Sequence, residues 1–255
     1  MKKHTKYIHA LVAFFLVVFF WQLVIIYGQY PEALLPSPLI VLKGIISLVV
    51  DGSLWVHVQI SLLRFAAGYF TAVISAIALG LFLGRSPIIW SIMDPIVQVL
   101  RPVAPVAWTP FIVLWFGIGN MPAIIIIFIA AFFPVLLSTV SAVRKVSPTY
   151  LKLAQNLEIS HTSLMYKIIF PAAFPSIANG LHIAVGSAWI FLVAGEMIGA
   201  QSGLGYLIID SRNALDLDLV LAGIIIIGFL GLFLDRLIAF FEKWIGKQWG
   251  MDRIN

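Results

Sequence analysis

A chain of 255 residues that is 62% hydrophobic and 11% charged cannot hide its apolar side chains in a water-soluble core, since soluble domains are roughly half apolar and about a quarter charged. Its net charge of +5 does not mark a nucleic-acid binder, because the lysines and arginines sit beside apolar stretches, where membrane orientation accounts for them. Cysteine is absent, which excludes disulfides, thiolate nucleophiles and cysteine-ligated metals.

In chain order, Lys2, Lys3 and Lys6 precede an apolar run at 8–27. A cleavable signal core spans ~7–15 residues before small residues; this run is longer and ends in Trp21, Ile25, Ile26 and Tyr27, so it reads as an uncleaved first helix. Segment 31–61, punctuated by Pro31, Pro36, Pro38 and Gly52, reads as too irregular to cross and is expected along the outer surface. A second span covers 62–83. The segment 88–117 is apolar but interrupted by Arg101, Pro102, Pro105 and Pro110, the pattern of a broken span, because proline removes a helical hydrogen bond. Segments 123–143, 172–199 and 219–241 complete the set, each about the ~20 residues needed to cross, and 200–218 is expected to resemble 31–61. The expected fold is an all-α integral membrane protein of about six transmembrane helices, forming a single domain over 1–255.

Cytoplasmic loops retain lysine and arginine. With the N-terminus inside and six helices, Lys2, Lys3, Lys6, Arg85, Arg144, Lys145, Lys152, Lys167, Arg236, Lys243, Lys247 and Arg253 all fall at the inner side. Only Lys43 and Arg212 remain outside, with Arg64 near the outer edge. Five spans would put either the N-terminal lysines or the 144–167 cluster outside, so the charges require the broken helix and place both termini in the cytoplasm.

Catalytic constellations are missing from the pattern. His4, His9, His57, His161 and His182 are scattered without metal-ligand spacing. There is no Gly-x-Ser-x-Gly elbow and no phosphate-binding G-x-x-x-x-G-K-[ST] motif, so energy must come from a partner. The feature able to engage one is the charged inner loop 144–171. Ser147 can cap a first helix with Pro148 at its first position, and Ser160 a second that runs to Pro171. Leu151, Ala154, Leu157 and Glu158 are expected on one face of the first. Read from pattern alone, the loop also fits an amphipathic hairpin lying on lipid headgroups.

Residues 150–171 resemble the coupling loop of ABC importer permeases, whose signature is Glu-Ala-Ala, three residues, Gly, nine residues, Ile-x-Leu-Pro. Ala154, Ile168 and Pro171 match, and Phe170 stands for its leucine. Lys152, Leu153 and Glu158 depart from the Glu, Ala and turn glycine of the pattern; without glycine a left-handed turn is strained, so the bend is expected to form differently or to shift to Ile159-Ser160. The resemblance extends along the chain and is similar to the nitrate, sulfonate and taurine branch: Leu35-Pro36-Ser37-Pro38, Ser61-Leu62-Leu63-Arg64 with Gly68, Leu100-Arg101-Pro102 through Trp108-Thr109-Pro110, Leu114 to Gly119, and Ala194 to Ala200 with Ser202 to Ile208.

The resemblance implies a type I ABC importer-like fold in a bacterial cytoplasmic membrane. It implies a permease that pairs with a second copy of itself, binds two ATP-binding subunits and receives a small solute from an extracytoplasmic binding protein. ATP and Mg would sit on the partner ATPase and no cofactor on this chain. Tyr150, Leu151, Lys152, Ala154, Leu157, Glu158, Ile168 and Pro171 are the implied ATPase-coupling residues.

Charges at bilayer depth cost several kcal/mol unless they face protein or water. Arg101 is therefore a candidate ligand for an anionic solute; pairing with Asp94 or Glu196, or capping of freed carbonyls, is its structural alternative. Glu196 could gate the path or serve a structural pair. Trp108, Trp115 and Trp189 could line a path or serve as anchors and packing. Gly180, Gly186, Ser187, Gly195 and Gly199 permit close helix approach within a bundle or a dimer. The rival reading, a stand-alone channel or secondary carrier, calls for paired deep charges or an inverted repeat, and neither is visible.

Overall fold

A computed structural model describes residues 3–248, and all regular structure among them is helical. With no water in the hydrocarbon, backbone groups must be satisfied inside each segment, so even the β-branched run Ile124 to Ile127, a poor helix former in water, lies in a continuous helix. Helix α1 (Lys3–Gly28) leaves most of its apolar side chains exposed. Next come α2 (Pro38–Val50) and α3 (Ser53–Arg85). The pair α4 (Pro87–Leu100) and α5 (Thr109–Phe116) is joined through a 3-10 turn, Pro105–Trp108. Then α6 (Asn120–Arg144) leads into the inner loop with α7 (Pro148–Asn156) and α8 (His161–Leu164). The described residues close with α9 (Phe170–Gly199), α10 (Leu204–Asn213) and α11 (Leu217–Gln248).

Among the described residues five helices are long and apolar enough to cross a membrane, and the α4–α5 pair, bent by 85°, supplies a sixth, broken crossing. The break falls at 101–104, where Pro102 and Pro105 deny donors to a continuing helix.

Two segments differ from the sequence expectation. Within 31–61 the chain is mostly helical: Pro36 and Pro38 start α2 rather than break it, with Pro38 in its first turn and Ser37 Oγ accepting from Ile40 N at 3.4 Å. Asp51 then turns the chain, its carboxylate accepting from the Ser53 amide at 2.9 Å and hydroxyl at 2.7 Å. Those two bonds hold the Asp51 carboxyl below its ordinary range. Helix α3 begins nine residues ahead of the expected 62 because its polar residues His57, Ser61 and Arg64 have internal partners. Segment 200–218 likewise holds α10, whose Leu204, Gly205, Leu207 and Ser211 are buried.

The core is α3, α6 and α9. Small residues let these helices approach closely: a Cβ built at Gly80 would lie 2.6 Å from Thr139 Cβ, and one at Gly68 2.7 Å from Ile127 Cβ. On the other side of α6, Gly180 meets Ser138 and Gly195 meets Ala123. Helix α11 is tied to α9 by polar contacts, Trp189 Nε1 donating to Ile227 O at 3.1 Å and His182 lying between Asp235 at 3.2 Å and Glu242 at 3.1 Å.

Gly80→Ala should lower unfolding stability in detergent micelles by about 1–3 kcal/mol through overpacking. Gly186→Ala, where a Cβ meets nothing within 4 Å, should not lower it in the same unfolding measurement.

Candidate functional site

The inner loop is built by local chemistry. Ser147 starts α7, its Oγ accepting from Thr149 N at 3.3 Å and its carbonyl from Tyr150 N at 3.1 Å. At the other end of α7, Leu157 N donates to Leu153 O and Ile159 N to Ala154 O, both at 3.0 Å. The second bond spans five residues and closes a Schellman turn, which needs a left-handed residue just past the helix. Glu158 supplies it with φ of 49°. The bend therefore stays where the resemblance places its glycine, and a glutamate bears the strain. Ser160 then caps α8, accepting from Ser163 N at 3.4 Å. A single π-helical turn, Met165–Ile169, leads into α9, with Pro171 half-buried in its first turn.

The expected shared face divides. Ala154 is only 2% exposed and belongs with Val143, Leu164 and Ile169 in a small inner core. Leu157 is 63% exposed because it lies past the last helical residue, where the 3.6-residue period ends. Tyr150 and Leu153 are exposed beside it, as is Glu158, while Ile168 is half-buried. Tyr150, Leu153, Leu157 and Ile168 edge a groove of about 320 Å³, with Ala154 and Ile159 in its lining and Glu158 outside it. The side chains of Leu151 and Lys152 lie outside the described residues. The outcome is an exposed apolar edge anchored from beneath by Ala154, rather than one presented by it.

At the outer end of the bundle, Arg64 and Glu196 form a buried ion pair at 2.8 Å, with side chains 3% and 0% exposed. All five Arg64 N–H groups are used. Nε and Nη2 donate to Asn120 Oδ1 at 2.9 and 2.6 Å, Nη1 to Glu196 and to Ser202 O at 2.6 Å, and Nη2 also to Ser202 Oγ at 2.8 Å. Glu196 also accepts from the Ser61 hydroxyl at 2.8 Å and from Gly205 N at 3.0 Å. Ser61 Oγ in turn accepts from Leu204 N at 2.9 Å. The orphan donors that open α10 are thus satisfied by α3 and α9 side chains. Any Cβ on Gly203 would collide with the Glu196 carboxylate.

The candidate path residues do not converge. Glu196 pairs with Arg64, not Arg101, and takes the structural role. Arg101 lies at the opposite end, lining a cavity with Arg144 and Lys145. The carboxylate of Asp94 instead accepts from Gln98 at 3.3 Å. Trp108 is half-buried at the end of the 3-10 turn and Trp115 is exposed. Trp189 is a core residue, 6% exposed and edge-on to Phe65 at 5.7 Å, so it cannot line an open path in this conformation. Sequence reasoning marks Arg64 only as a charge near the outer edge. The signal that could have found it is Ser61 one helical turn before it, in a chain whose fifth span holds one carboxylate, Glu196. Among the described residues no group of three His, Asp or Glu side chains is placed to hold a metal ion.

Residues 76–247 match the family model described as binding-protein-dependent transport system inner membrane component. The taurine transport system permease protein of Escherichia coli K12 is 37% identical over 206 residues, covering 79% of this chain and 75% of its own length. The nitrate import permease protein of Synechocystis is 33% identical over 249 residues, covering 94% and 90%. The MetNI methionine ABC transporter, solved in an inward-facing conformation, shares the fold with a TM-score of 0.52 at 19% identity, over 74% of this chain and 95% of its own.

Glu158→Gly should stabilise the chain by about 0.5–1 kcal/mol in detergent unfolding, since glycine adopts positive φ without the Cβ penalty. Glu196→Ala leaves the Arg64 charge buried and unpaired and should cost about 3–5 kcal/mol, more than the double replacement Arg64→Met with Glu196→Leu.

Proposed function

The chain belongs to the family of binding-protein-dependent transport system inner membrane components, permease subunits of ABC importers, and from that premise we propose that it carries a small anion of the taurine, sulfonate or nitrate kind into the cytoplasm. It is a multi-pass membrane protein, and its family implies an ATPase and a binding protein as partners. In the proposed assembly two copies of this chain flank the solute path, two separate ATP-binding subunits hold ATP and Mg, and this chain carries no catalytic site of its own. The permeases of taurine and nitrate systems over most of its length support the substrate class.

The observation that carries the coupling role is the exposed apolar edge of Tyr150, Leu153 and Leu157 on the positively charged inner side. A lipid-surface hairpin would press these side chains into acyl chains; here they edge a groove whose floor is fixed to α6 and α9 through Ala154. A knob from the ATPase fits such a groove, and closure of two ATPases would shift α7, the π turn and α9 between inward and outward access. An exposed stripe on α9, Ser176, Asn179, Gly186 and Ile190 at helical spacing, supports packing of the second copy against this helix. A carboxamide at bilayer depth belongs against protein or water rather than lipid.

Leu157→Asp should leave the chain folded and weaken co-elution of the co-expressed ATPase about 30-fold or more, as loss of an interface anchor does. Proteoliposomes holding this variant should lose ATP-dependent taurine or nitrate uptake. Undiminished co-elution would remove the docking assignment, and uptake by the chain without any ATPase would favour the stand-alone carrier.

A further inference from the structure

The inner end of the bundle carries a second charged feature that docking does not use. Arg101, Arg144 and Lys145 line one cavity of about 390 Å³, together with Ser141 and the indole of Trp90. No carboxylate is among the lining residues, and none of the three cations takes part in an ion pair among the described residues. A neighbouring cavity shares Arg144 and adds Arg85. Topology explains a cation at the inner end of a helix. It does not explain Arg101, which comes from the proline break of an apolar crossing and still reaches the same space as the end of α6.

The surface beside the cavity has the opposite character. Helix α4, whose Trp90 lines the cavity, exposes Ile89, Ile96 and Leu100 on the flank next to that residue, an apolar strip fit for acyl chains. The walls of the cavity include the apolar side chains of Leu137 and Val140. A soluble anion would use the guanidinium and ammonium groups and leave the strip bare. An amphiphile uses both.

The geometry points to a site for the phosphodiester headgroup of an anionic lipid of the inner leaflet, held by Arg101, Arg144 and Lys145 with its chains along α4. Arg144 and Arg101 offer planar paired donors suited to phosphate oxygens, Lys145 a point charge, and the Ser141 hydroxyl a neutral donor. The three cations are exposed, so their replacement by glutamine leaves the packed core intact.

The test uses the full chain co-purified with its ATPase, delipidated in detergent and titrated with phosphatidylglycerol or phosphatidylcholine under native mass spectrometry. Phosphatidylglycerol should be retained over phosphatidylcholine. Arg101→Gln, Arg144→Gln and Lys145→Gln should each weaken its retention about five-fold, as expected for one surface cation. Lys243→Gln, at the inner end of α11 but outside the cavity, should change it less than two-fold. Equal retention of phosphatidylcholine, or an equal loss in Lys243→Gln, would overturn the site. Inorganic phosphate competing as well as the lipid would show a soluble anion as the occupant and overturn the lipid assignment. Loss of the ATPase from the three variants with lipid retention unchanged would show that the cations face the partner, and would overturn the lipid assignment as well.

Discussion

The 2.8 Å contact between Arg64 and Glu196 joins helices that are far apart in sequence, and the outer half of the bundle is arranged around it. Burying two charges is expensive, and such a pair holds only when every remaining donor and acceptor is also satisfied. Asn120 at the start of α6, Ser202 in the loop before α10, Ser61 one turn earlier on α3 and the Gly205 amide meet that demand. One carboxylate therefore fixes where α3, α6, α9 and α10 meet. It also explains why the loop at 203–205 is glycine-rich: side chains there would occupy the space of Glu196 or the carbonyl of Val193. The pair is sequestered from solvent, so its contribution is architectural, and selectivity for the solute has to arise elsewhere.

With the outer end pinned, the inner end is where motion can be received. Helices α6 and α9 run the full depth of the bundle in close small-residue contact and continue directly into the loop on either side. Packing of this density transmits displacement rather than absorbing it. The loop is itself a rigid part: a Schellman closure, two serine caps and the burial of Ala154 against Val143, Leu164 and Ile169 fix it to the bundle. The π-helical turn at Met165–Ile169 marks its junction with α9, a place where helices commonly alter their hydrogen-bond register. Force applied at Leu157 thus has a short path to α9.

The spans are legible in the sequence because lipid imposes a length and forbids unpaired backbone groups. Runs such as 123–143 can be read directly, and the charge count recovers even the broken crossing. What pattern cannot reveal is where polar residues within those runs find partners. Arg64 and Glu196 are 132 positions apart, and no local period links them, so pattern alone offers Glu196, beside Asp94 or freed carbonyls, as a partner for Arg101 at the other end of the bundle. Prolines mislead in segment 31–61 because the same residue that breaks a helix interior also starts a helix at its first turn. In the loop, the family spacing locates the bend at Glu158, yet helical periodicity carries Leu157 onto the face of Ala154. The chain leaves the helix at that very residue, and Leu157 is left exposed where Ala154 is buried.

The exposed edge of the inner loop is where the ATPase should meet this chain. Because the chain has no cysteine, single cysteines report contacts without background. Leu157→Cys and Tyr150→Cys in membranes containing the assembled transporter should cross-link to the ATPase with a short bifunctional reagent, while a cysteine at the buried Ala154 should not. Failure of both exposed positions to cross-link, or equal cross-linking from a cysteine placed at Lys43 on the outer side, would contradict the docking of the ATPase on this loop.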